Sequence, residues 1–142
     1  MATRLSRFEF KQRYTAIGQG LFIVTNEKRL PKEQGTVNLG RELSNILCDL
    51  PEQNRPDAVA SGIAKLVNPY KAVTLTHSEL LFTPGFNLDI VGLLLALCRN
   101  RKICIAWPGT ILDGKLIYAS PNNPEYYECD PRALQDTYII TE

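Results

Sequence analysis

The chain has 142 residues, 44% of them hydrophobic and 22% charged, and a formal net charge of +1. That is the composition of one core-forming soluble domain and excludes the disordered, collagenous and disulfide-stapled classes. The charge is uneven, residues 1–41 holding eight Lys/Arg against three Asp/Glu and residues 113–142 two against six, so the basic end suits a nucleic acid, an acidic partner or plain solvation, in a domain far from the high pI of a dedicated nucleic-acid binder.

Residues 3–15 read as a helix, with Leu5, Phe8, Phe10 and Tyr14 as apolar positions and Arg4, Arg7 and Lys11 along one side. With Arg13 these cations occupy a segment, residues 1–17, that lacks an apolar stretch and a small-residue cleavage site, so a cytoplasmic protein is expected. Gly18-Gln19-Gly20 ends the helix. Leu21-Phe22-Ile23-Val24 then fits a strand buried on both faces. Residues 25–35 turn polar, with Pro31 and Gly35 as breakers, before Thr36-Val37-Asn38-Leu39 offers a second short strand. Eleven residues hold a loop or one helical turn, but not a phosphate loop plus a full crossover helix.

Leu43, Ile46, Leu47 and Leu50 set a helix over residues 41–50, stopped by Pro51. A linker over 49–57 leads to a second helix over 58–67, closed by Asn68-Pro69. Residues 71–109 read as a strand–helix–strand unit of a parallel sheet. Ala72-Val73-Thr74-Leu75-Thr76 is its first strand, Asn87 is read as the N-cap of an apolar helix over 88–98 with Asp89 in the first turn, and residues 103–107 give the second strand. The apolar stretch 90–98 is less than half a membrane span and contains Gly92, so no membrane partner is expected. Asp113-Gly114 marks a two-residue hairpin turn within residues 110–119, and residues 137–141 form a last strand. The order predicts one α/β domain over residues 1–142, with a mainly parallel central sheet flanked by helices.

Little in this frame has the pattern of catalysis. A phosphate loop needs glycines that let backbone N–H groups converge on an anion, with Lys and Ser/Thr following. Gly18-Gln19-Gly20 precedes the strand, and after it Lys28, Arg29 and Lys32 remain as point charges for a phosphate. Arg99, Arg101 and Lys102 sit where cations complement a helix C-terminus, contact a phosphate or reach a neighbouring subunit. Thr76, His77, Glu79 and Trp107 fall at strand C-termini, the edge where α/β sheets hold ligands. Neighbours on an extended chain point apart, so His77 and Ser78 do not read as a catalytic pair. One histidine and Cys48, Cys98, Cys104 and Cys129 without C-x-x-C spacing give no metal site; the cysteines read as free, mainly buried thiols. No catalytic residue and no cofactor is expected.

In order and spacing, Val37-Asn38-Leu39 with Glu42-Leu43-Ser44, Leu50-Pro51, Arg55-Pro56 and Glu79-Leu80-Leu81-Phe82 resemble the BrxF family, the small P-loop proteins of type III BREX phage-defence systems. The likeness continues through Asp89, Leu93-Leu94, Cys98-Arg99-Asn100-Arg101, Ala106-Trp107 with Gly109, Tyr118-Ala119 and Pro124-Glu125-Tyr126, and includes the Leu21 strand. The resemblance implies a P-loop NTPase-like fold and a cytoplasmic protein working with larger components of a defence system. The chain departs from the family where the phosphate loop and its helix are missing between Val24 and Val37, where Thr76 replaces the Walker B Asp, and where Pro108 follows Trp107. What then remains is a pseudo-ATPase, a non-catalytic accessory or adaptor subunit. The alternative is a residual nucleotide- or DNA-binding regulatory protein using Lys28, Arg29, Lys32, Arg99, Arg101 and Lys102; self-association stays open.

Overall fold

A computed structural model describes residues 2–31 and 35–142. In chain order these form β1 (Thr3–Arg4), α1 (Arg7–Ala16), β2 (Gly20–Val24), β3 (Gly35–Asn38), α2 (Leu39–Leu47), α3 (Arg55–Val67), β4 (Ala72–Thr76), α4 (Ile90–Leu97), β5 (Lys102–Ala106), β6 (Thr110–Leu112), β7 (Lys115–Tyr118), β8 (Tyr127–Cys129) and β9 (Thr137–Ile140). Six strands make an all-parallel sheet in the order β1-β9-β2-β5-β4-β3, and β6-β7-β8 form a small antiparallel sheet. The fold is α/β, with helices flanking a parallel sheet, and is consistent with a P-loop-like architecture. No helix among the described residues is long and apolar enough to cross a membrane.

Strand alternation divides the core in two. Leu21 and Ile23, Val73 and Leu75, and Ile103 and Ile105 point to one face, where they meet α2, α3 and α4. Phe22, Val24, Cys104 and Ile140 point to the other and meet Leu5, Phe10 and Tyr14. Burial on both faces is why β2 and β5 read as unbroken apolar runs rather than alternating ones.

Connections between parallel strands are right-handed, so the direction of travel across a sheet decides which face each crossover covers. From β1 to β2 and from β2 to β3 the chain moves one way; from β3 through β4 and β5 to β9 it moves back. Accordingly α1 and Leu30 pack on the Phe22 face, while α2, α3, α4 and the buried residues of β7 and β8 pack on the Leu21 face. The β2–β3 crossover carries a single 3-10 turn, Glu27–Arg29, among its described residues. Among the described residues one face therefore has three α-helices and a small sheet over it, and the other has one α-helix and a 3-10 turn.

Several boundaries differ from the sequence expectation, each for a local reason. The first helix starts at Arg7 because Ser6 caps it in a reciprocal box with Glu9, and Thr3–Arg4 instead pair with β9. α3 starts at Arg55, with Pro56 in its first turn. Asn87 is not the cap of α4: it adopts a left-handed φ of 50°, and the Asp89 carboxylate accepts from the Gly92 N–H. The hairpin turn is as expected, with Asp113 and Gly114 at φ 52° and 78°, but β8 adds a third strand to it.

Candidate functional site

The gap left on the Phe22 face is a cleft of about 680 Å³ between α1 and the β2–β3 crossover. Arg7 and Lys11, one helical turn apart on α1, line one wall. Lys28 and Arg29 line the opposite wall, and Phe8 stands in the lining with 73% of its surface exposed. Asn26 fixes the opposite wall by accepting a hydrogen bond from the Lys28 N–H, and the Arg29 Nε donates to the Glu142 carbonyl. The Arg7 guanidinium lies 5.3 Å from the Phe8 ring centre, and the Arg7 N–H contacts the Glu142 carboxylate.

Lys102 forms the base of the cleft. Its position in β5 turns the side chain toward α1, where it is 8% exposed, donates from Nζ to the Tyr14 carbonyl and lies 4.1 Å from the Tyr14 ring centre. That carbonyl belongs to the last turn of α1, whose outward-facing carbonyls attract a cation. Burial lowers the lysine pKa. Tyr14 is 7% exposed, its pKa raised chiefly by burial, and its hydroxyl has no hydrogen-bond partner among the described residues. The ion pairs among the described residues, Arg41–Glu42, Lys115–Glu128 and Arg132–Asp130, lie away from the cleft cations, beside which Glu142 is the acidic neighbour.

The six cations expected to act together do not form one cluster. Lys28, Arg29 and Lys102 meet in this cleft. Lys32 lies outside the described residues. Arg99 is in a separate hollow with Arg132, Asp136 and Gln19. Arg101 is structural: its Nε donates to the Leu97 carbonyl at 3.0 Å, and its Nη1 to the Val67 and Tyr70 carbonyls at 2.7 and 2.9 Å. One guanidinium thus satisfies the C-terminal ends of α3 and α4 together.

At the strand C-termini the predicted residues also separate. Trp107 is 3% exposed, donates from Nε1 to the Ile117 carbonyl at 3.1 Å and packs edge-on to Phe82, so it anchors the antiparallel sheet and offers no partner surface. Ser78 is buried and donates to the Ala106 carbonyl, apart from His77. His77 and Glu79 are exposed; His77 adopts a φ of 54° and its Nδ1 lies 3.0 Å from the Thr76 hydroxyl. Among the described residues no group of three His, Cys, Asp or Glu is placed to hold a metal. Cys98, Cys104 and Cys129 are buried, and burial raises all three thiol pKa values, that of Cys98 to about 12. Cys48 is exposed.

Arg7, Lys11, Phe8 and Tyr14 were missed as site residues. The cationic side of the first helix was the available signal, but only the handedness of the crossovers brings that side against Lys28 and Arg29. Comparisons with protein-family models, curated proteins and solved structures find no match.

Proposed function

We propose that this chain is a non-catalytic accessory or adaptor subunit of a BREX-like antiviral defence assembly, a cytoplasmic pseudo-ATPase that docks on a larger ATPase or methyltransferase component. The observation that carries this reading is the fate of the amides after β2. A phosphate loop holds its anion by aiming successive free N–H groups at it, backed by a helix N-terminus. Here the Thr25 N–H donates to the Ile140 carbonyl, Lys28 to the Asn26 side chain, Arg29 to the Asn26 carbonyl and Leu30 to the Glu27 carbonyl. Those donors are consumed within the protein. Thr76, at the end of β4, also supplies no carboxylate for magnesium.

Isothermal titration with ATP and magnesium should give no heat of binding and no turnover; micromolar binding with hydrolysis would overturn the reading. The tagged protein, purified from its own host, should bring a large ATPase or methyltransferase with it. Recovery of the chain alone would remove the adaptor role.

A second reading, a regulatory protein that contacts nucleic acid, is favoured by the convergence of Lys28, Arg29 and Lys102 with Arg7 and Lys11 in one cleft. It requires an affinity that falls steeply with salt, since each neutralised phosphate releases counterions.

A further inference from the structure

We infer that the cleft between α1 and the β2–β3 crossover takes a single strand of nucleic acid, with phosphates among Arg7, Lys11, Lys28 and Arg29 and one base against Phe8. The inference rests on the second reading above and names its ligand. Two independent features support it. The first is charge: four cations from two different elements line one concavity, outnumbering Glu142, whose carboxylate meets the Arg7 N–H and whose backbone oxygen accepts from Arg29. The second is Phe8, which α1 leaves 73% exposed while Phe10 and Tyr14 go into the core.

The chemistry separates a strand from its competitors. A duplex shows phosphates on a convex surface and keeps its base faces stacked inside, whereas an unpaired strand fits a concave basic groove and offers base faces to an aromatic ring. Triphosphate binding would need converging free amides, and those of Thr25, Lys28, Arg29 and Leu30 are already used within the protein.

Fluorescence anisotropy of the full chain tests this with a labelled oligothymidine, the same strand made abasic, and a hairpin duplex, each across a salt series. The strand should bind more tightly than the duplex, with a log–log salt slope of about −2 to −3 for four phosphates at about −0.7 each. Phe8→Ala should weaken the strand by roughly 5- to 150-fold, the range for one stacked base, and leave the abasic strand unchanged. The double change Lys28→Ala with Arg29→Ala should reduce the slope by about 1.4. Equal strand and duplex affinity, with no effect of Phe8→Ala, would overturn the single-strand inference while leaving a charge-based contact standing. No binding of any probe at low salt would overturn both. Phe8, Lys28 and Arg29 are not core residues, and matching thermal melts of the variants would show that their folding is not the cause.

Discussion

Arg101 and Lys102 are neighbours in sequence and face opposite sides of the sheet, and each ties a helix C-terminus to it. Arg101 serves α3 and α4, and Lys102 serves α1. Replacing Arg101 leaves three carbonyls without their charged donor, so Arg101→Met should lower unfolding free energy by about 3 kcal/mol in urea titrations. A surface phosphate contact would leave the urea midpoint unmoved. The sequence showed a basic cluster before a strand; it did not show that the Val67 and Tyr70 carbonyls lay within reach, because they are 34 and 31 residues away along the chain. At the small sheet, Glu128 is held below the ordinary glutamate value by its hydrogen bond from Lys115 and then by that from Tyr126. A lowered folded pKa means stability present above the unfolded value and lost as pH falls through the folded one. The gap between urea midpoints at neutral pH and well below 4.5 should therefore narrow in Glu128→Gln.

At the scale of elements, capping chemistry is where sequence and structure part most instructively. Asn87 and Asp89 are both good caps by residue type, and the chain uses Asp89 because its carboxylate reaches the Gly92 N–H while Asn87 turns left-handed two residues earlier. Asp89→Ala should cost about 1 kcal/mol, whereas Asn87→Gly, which suits a positive φ, should cost nothing in the same denaturation assay. The long apolar and β-branched runs of β2, β4 and β5 were legible because their burial is written into every residue. β1 and β8 were not. Two or three residues carry no period, and Thr3–Arg4 and Tyr127–Cys129 become strands only because β9 and β7 are there to pair with them.

For the whole molecule, the α/β class follows from strand and helix periods, but the site follows from topology. A crossover too short for a helix could be counted in the sequence. Which face it leaves open depends on the strand order, set by pairings between distant segments such as β2 with β9. On the proposed pseudo-ATPase reading, Thr76→Asp should bind and hydrolyse no more ATP than the parent in a phosphate-release assay, because a carboxylate alone does not build an amide cradle. The position of β9 has a separate consequence for how the protein is made. It is wedged between β1 and β2, so Thr3–Arg4 have no strand to pair with until Thr137–Ile140 have been translated. Until then β2 presents a bare hydrogen-bonding edge, and the nascent chain passes through a window in which a stray strand from a neighbour competes for the slot.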